Sequence, residues 1–427
     1  MKNEIHVARF PRMCDIRQRF DSPQVDDIAA TVHSELQKLN LPASIKPGDT
    51  VAITAGSRGV ANIALILRSA VDCLKQAGAV PFLVPAMGSH GGGTVDGQLE
   101  VLRGLGVTED TVGAPIRATM ETVIVAQSSI GLPVHFDRYA SQADHVLVVG
   151  RIKPHTRFVG AIESGLHKMM LIGLGKHEGA KIYHRGIMTH SFPEIIQSVG
   201  RKVLQDCRVI GGLAIIENAR DETALIEAVK PDAFESREPE LLKMACRWLP
   251  ILPFPKCDVL IVDRIGKNIS GVGLDSNVVG RKYLDHMATE NDIASCRRIV
   301  VRGLTEETHG NGTGIGMTEF TTQKCVDQID HVKTRINCIT GLHPEAAMIP
   351  ITLPTDADAV EAALQTIGLI EPEAARVIQI SDTLHLTRVR VSEAYFPEVR
   401  ERDDLDFIGE PFDFPVDPHG CLRDVEA

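Results

Sequence analysis

The chain has 427 residues, room for two or three domains at about 150 residues each and for cores that need no disulfide or structural metal. Hydrophobic residues make up 44% and charged residues 24%, and the net charge of −11 excludes a general nucleic-acid or anionic-membrane binder. No apolar run reaches the ~18 residues of a transmembrane helix, and Met1 to Phe10 lacks the apolar core of a signal peptide. The nine cysteines contain no CxxC pair, so a zinc ribbon, a thioredoxin motif and a disulfide framework have no support, and a cytoplasmic enzyme is expected.

In chain order, Thr50 to Ala55 (TVAITA) predicts a strand, followed by the turn Gly56-Ser57-Arg58-Gly59. Asn62 to Gln76 has helical spacing and stops before Gly78. Val80 to Ala86 predicts the next strand, which runs into Met87-Gly88-Ser89-His90-Gly91-Gly92-Gly93, and Thr94 is placed to cap a helix over Val95 to Leu105. Val123 to Ala126, His145 to Val149 and Val209 to Glu217 predict further buried strands. This alternation implies an α/β fold with a mainly parallel sheet covered on both faces, whose ligands bind at the carboxyl ends of the strands. Pro250 to Pro255 (PILPFP) reads as a connector, which sets an N-terminal α/β domain at 1–256 and a smaller C-terminal α/β domain at 257–427. The second begins with the strand Cys257 to Asp263, continues through the glycine-rich Gly266 to Gly280 and the strand Arg298 to Val301, and reaches a turn at Gly310 to Gly316. The last ~30 residues are acidic and proline-bearing, and are expected to pack back on either domain, the N-terminal one included.

The densest chemistry runs from Lys153 to His190, where 38 residues hold five histidines (His155, His167, His177, His184, His190), four lysines (Lys153, Lys168, Lys176, Lys181) and two acidic residues, Glu163 and Glu178. Two readings stand: a basic loop that binds an anion, or an assembled site with a metal ligand, acid/base imidazoles and a reactive lysine. His167, followed by Met169, Met170, Leu171 and Ile172, has the surroundings of a packed helix histidine. The Ser57-Arg58 turn is either a phosphate seat, with backbone N–H groups and a bidentate guanidinium, or a tight turn with an exposed arginine. It is neither GxGxxG nor a Walker loop. His90 stands among glycines that allow close backbone approach to a ligand, and Gly310 to Gly316 is a second anion loop or a plain turn.

Together these motifs resemble the nickel-pincer lactate racemase family and its wider set of 2-hydroxyacid racemases and epimerases. The family's strand-end histidine and its Ser-Gly-Gly-x-Lys segment correspond to His155 and to Ser164-Gly165-Leu166-His167-Lys168. The resemblance implies a nickel-pincer nucleotide, a pyridinium-3,5-bisthiocarboxylic acid mononucleotide carrying nickel, bound covalently to Lys168 beside Ser164 and Gly165. His184, 16 residues beyond Lys168, matches the nickel histidine. Ser57 and Arg58 match the phosphate turn, and His90 and His155 match the two acid/base histidines. The implied partners are a small hydroxy-acid substrate and cofactor-synthesis enzymes acting in trans, with no nucleic acid and no membrane.

The departures bear on the substrate. The segment from His155 to Ser164 is longer than is usual in the family, Leu166 replaces the second glycine, and the acidic residue of the phosphate turn is missing. Leu274-Asp275-Ser276-Asn277 resembles the segment before the lactate-binding Tyr-Gln pair, but Val278, Val279 and Gly280 follow it. Arg281 and Lys282 are the nearest groups for a carboxylate, and a hydroxy or sugar acid larger than lactate is expected. The implied chemistry moves the C2 hydrogen as a hydride, avoiding a carbanion beside the carboxylate, while one imidazole takes the hydroxyl proton. The competing readings are a dehydratase or lyase of a sugar acid on the same scaffold, and a non-catalytic anion-binding protein.

Overall fold

The computed structural model describes residues 10–57 and 59–426. The chain divides into two compact units, one spanning Ser22–Leu249 and the other combining Pro250 onward with the chain up to Asp21.

In the first unit five strands lie side by side in the order Val80–Pro85, Thr50–Ala55, His145–Arg151, Val209–Glu217, Thr223–Val229. The first four are parallel and the last is antiparallel. Successive side chains point to opposite faces, and both faces are buried. Val51, Ile53, Leu147 and Val149 pack with Ile66, Ala70 and Leu74 of the helix Ile63–Gln76. Ala52, Val146 and Val148 pack with Ile195, Val199 and Val203 of the helix Phe192–Asp206. Each such Val, Leu or Ile side chain contributes about 1.5–3 kcal/mol on burial, which is why the strands read as unbroken apolar runs. Thr94 caps the helix Val95–Gly104 as the sequence predicts, its Oγ1 accepting the Gly97 N–H at 3.1 Å. Between the first two expected strands' neighbours, the buried Thr54 hydroxyl accepts the Val149 N–H at 2.7 Å and donates to the Val149 carbonyl at 3.0 Å. A side chain thus replaces the ladder where the strands Thr50–Ala55 and His145–Arg151 approach their carboxyl ends.

One expected strand differs. Thr122–Gln127 lies outside the parallel sheet and pairs antiparallel with Pro133–Asp137 in a two-stranded ribbon. Val125 and Ala126 pack on the core beside it, whereas Ile124 is 59% exposed, so the apolar run marks a one-sided ribbon.

The second unit has an eight-stranded sheet in the order Ile351–Leu353, Phe320–Thr322, Ser295–Val301, Lys256–Val262, Val377–Ile380, Arg388–Ser392, Met13–Gln18, Leu405–Phe412. The first five are parallel and the remainder antiparallel. This corrects the expected boundaries of 1–256 and 257–427: Met13–Gln18 belongs with the C-terminal strands, held by ladders on both sides and by Asp15, which accepts from Arg390 Nε at 2.7 Å. The acidic C-terminal segment likewise completes this sheet, Leu405–Phe412 pairing with Met13–Gln18. Among the described residues no helix is long and apolar enough to cross a membrane.

Candidate active site

Three neighbouring parallel strands of the first unit deliver the selected residues at their carboxyl ends. The chain leaves Ala55 into Ser57, Pro85 into the Met87–Gly93 loop, and Arg151 into Lys153 and His155. Ser57 Oγ is hydrogen-bonded to His90 Nδ1, which joins the first two turns. Gly91, Gly92 and Gly93 all have φ near +65°, and a Cβ on Gly91 would lie 2.5 Å from the Gly97 carbonyl carbon, so glycine is required there. Gln98 Nε2 fixes the loop by donating to the Gly88 carbonyl at 3.0 Å. The His90 side chain is exposed. Arg58 lies outside the described residues.

The third turn is built around two carboxylates that sequence reasoning did not select. Glu163 Oε2 accepts the His155 N–H at 2.8 Å and its Oε1 accepts the Gly160 N–H at 3.3 Å. Ser164 Oγ accepts the Lys153 N–H at 2.7 Å, stitching the loop to the start of the helical turn Leu166–Lys168. Gly165, at φ +88°, precedes that turn, and a Cβ there would lie 2.2 Å from Ile152 Cδ1 and 2.4 Å from Glu238 Oε1. Glu238 takes the space instead: it accepts the N–H groups of Leu166 and His167 and bonds to His167 Nδ1. His167 is therefore a buried structural histidine, as its apolar neighbours suggest. A π-helical turn, Met169–Gly173, then leads to the helix Lys176–Gly186, which carries His184.

Phe158 gathers the chemistry. Its ring stacks on His155 with centroids 4.1 Å apart and planes within 7°. Lys168 Nζ stands 5.7 Å from the same ring's centroid, and the His184 ring lies 6.2 Å away. Burial, and then the charge of Lys168, hold His184 below the usual histidine range, so its imidazole is neutral at neutral pH. The signal for Phe158 was its type: aromatic residues make up 4% of the chain, and this one lies inside the densest histidine and lysine stretch. Lys176 has a structural role, with its ammonium fully buried, 2.9 Å from Asp137 and donating to the Pro85 carbonyl. His177 is exposed on the same helix, with Gly93 beside its ring.

In the second unit Arg281 does not serve a ligand. Its side chain is buried, and its guanidinium donates to the Cys296 carbonyl at 2.7 Å and the Gly280 carbonyl at 3.1 Å, with Glu319 3.4 Å away. Lys282 is half-buried. Gly310 to Gly316 is a packed turn: a Cβ on Gly314 would lie 1.9 Å from the Val272 carbonyl oxygen. Asp285, His343 and Glu345, which the sequence did not single out, place donor atoms within 4.8 Å of one another, with His343 Nε2 2.9 Å from Asp285 Oδ2.

The fold and this site define a protein of two α/β units whose N-terminal unit presents a lysine, imidazoles and an aromatic ring beside the carboxyl edge of a parallel sheet. Residues 14–195 match the lactate racemase N-terminal domain. The structure of the lactate racemase apoprotein from Thermoanaerobacterium thermosaccharolyticum is similar in fold, with a TM-score of 0.52 at 13% identity, covering 86% of this chain and 94% of that one. No curated protein matches the chain.

Proposed function

We propose that the protein is a racemase or epimerase of a 2-hydroxy acid other than lactate, working with a nickel-pincer nucleotide tethered to Lys168. The observation that carries this reading is the grouping of Lys168, His184 and His155 around Phe158. The donor set fits the group: a half-buried amine at Lys168 is a nucleophile suited to a covalent bond, and the neutral imidazole of His184 is a ligand for nickel. When bound, this cofactor supplies a hydride acceptor and donor for the C2 hydrogen.

The chain's own residues do the rest. Ser57, with Arg58, holds the cofactor phosphate at the first turn, and Ser164 and Gly165 set the start of the helical turn that presents Lys168. His90 and His155 bond to the oxygens of the substrate and handle its hydroxyl proton. Lys282, half-buried beside the altered substrate segment, is the cation assigned to the substrate carboxylate in this reading. The cytoplasm, and synthesis of the cofactor by separate enzymes, belong to this reading.

Co-expression with cofactor-synthesis enzymes, followed by intact-mass measurement and nickel analysis, tests it. The expected result is a mass increase that disappears in Lys168→Ala, with nickel content falling in His184→Ala while the fold is kept. A protein without adduct or nickel, alongside a racemase loaded in the same cells, overturns it. Product analysis then separates an epimerase, which yields a stereoisomer of equal mass, from a lyase, which removes water.

A further inference from the structure

The parallel part of the second unit's sheet has two ends of opposite character. Ligands of such sheets ordinarily bind beyond the carboxyl ends of the strands. Here that end is taken by the chain itself: Asp263 and Asp356, both bonded to Arg302, accept the N–H groups of Val425 and Leu422. A cavity of about 430 Å³ lies at the amino ends instead. Lys256 and Ser295 open the strands Lys256–Val262 and Ser295–Val301 and face each other in the ladder, and Arg376 immediately precedes Val377–Ile380. All three residues line the cavity, as do Arg297 and Asp258.

Three cations therefore line one cavity in a chain whose net charge is −11. Arg376 is committed: its Nη2 donates to Glu398 Oε1 at 2.6 Å, and its guanidinium lies 5.2 Å from the Tyr395 ring centroid. Asp258 is committed too, its Oδ2 accepting the Arg376 N–H at 3.0 Å. Arg297 donates Nη1 to the Ile367 carbonyl, which fixes its planar fork without neutralising it. Among the described residues neither Arg297 nor Lys256 has a carboxylate partner. Three cations against two carboxylates leave positive charge over, and it rests on these two exposed side chains. We infer that the cavity is a second binding site, for a small molecule bearing a phosphate or carboxylate group. Arg297 grips the oxyanion with its fork, Lys256 adds an ammonium and Ser295 a hydroxyl, while the carbon skeleton rests against Ile370 and Ala374. The cavity has the size of a small-molecule pocket. The site lies within the second unit and uses no residue of the racemase reading, so the two stand or fall separately.

Isothermal titration calorimetry of the full chain with pyrophosphate and with citrate, each against sodium chloride at matched ionic strength, tests the site. The Ser57-Arg58 turn offers anions another seat, so the titrations are made in an Arg58→Ala background, where that seat has lost its guanidinium. Saturable binding of at least one probe is expected there, and the probe that binds more tightly identifies the head group as phosphate or carboxylate. Adding Lys256→Ala, a change at an exposed side chain, is expected to weaken binding about tenfold and to leave the melting temperature in chloride unchanged. Adding Arg297→Lys, which keeps the charge and loses the fork, is expected to weaken it by a similar factor. Heat no greater than the chloride control for both probes overturns the inference, and so does binding that either added substitution leaves unchanged.

Discussion

Glu238→Ala is expected to destabilise the protein by about 3–5 kcal/mol, because it removes one partner of a buried pair. The side chains of His167 and Glu238 are 2% and 1% exposed, and the carboxylate also accepts the N–H groups of Leu166 and His167. Alanine leaves those amides and the imidazole without an acceptor, and no water reaches them cheaply. The damage is local as well as global, since these are the first residues of the helical turn that ends at Lys168. On the proposed function, cofactor attachment at Lys168 is therefore expected to fall even at temperatures where the variant stays folded. Glu238→Gln keeps one acceptor oxygen and should cost less, about 1–3 kcal/mol. Urea denaturation measures the first effect and intact mass of the loaded protein the second. A Glu238→Ala variant within about 0.5 kcal/mol of the parent, the range of an ordinary surface substitution, would remove the buried pair from the account.

The parts of this fold that the sequence announces are those whose environment is uniform along the segment. Thr50–Ala55 and His145–Arg151 are covered on both faces, so composition alone marks them. Met13–Gln18 (MCDIRQ) is a strand of the opposite kind. Cys14 and Ile16 join the core, while Asp15 and Arg17 interrupt it with charge, and the ladder partners lie at Arg388–Ser392 and Leu405–Phe412. Nothing local states that Asp15 is buried against Arg390, because the compensating charge comes from the far end of the chain. The site divides along the same line. His155, Lys168 and His184 stand out in the sequence because imidazole and amine are reactive types crowded into one stretch, and the structure groups them around Phe158. Glu163 and Glu238 act by holding backbone N–H groups, a role that any carboxylate in the chain could take. Arg281 failed in the other direction: a guanidinium looks the same in sequence whether it faces a ligand or main-chain carbonyls. The buried Val278 and Val279 just before it were the available warning.

In the second unit, Arg302→Ala is expected to cost a further example of the same magnitude, about 3–5 kcal/mol, and to release the C-terminal segment. Arg302 follows the strand Ser295–Val301 directly, and its side chain is 8% exposed. It bonds Asp263, Asp356 at 2.8 Å, Asp424 at 3.0 Å and the Leu422 carbonyl. The same carboxylates take backbone amides of the segment, Asp356 from Leu422 at 2.9 Å and Asp263 from Val425 at 2.8 Å. The carboxyl ends of Lys256–Val262 and Ser295–Val301 are thus covered by the chain's own residues 422–425, tied down through one guanidinium. Burial already raises Asp263 above the usual carboxylate range, with Arg302 as the first opposing influence. Without Arg302 that carboxyl favours its protonated form more strongly. A carboxyl raised in the folded state binds more protons there than in the unfolded chain, so its contribution to stability falls as pH rises through that window. The deficit of Arg302→Ala should accordingly be largest at neutral pH and shrink at mildly acidic pH, as Asp263 takes up a proton. Denaturation curves at the two pH values measure this, and hydrogen exchange at the amides of Leu422 and Val425 reports release of the segment. A deficit that is constant with pH would mean that Asp263 is not the charge left stranded.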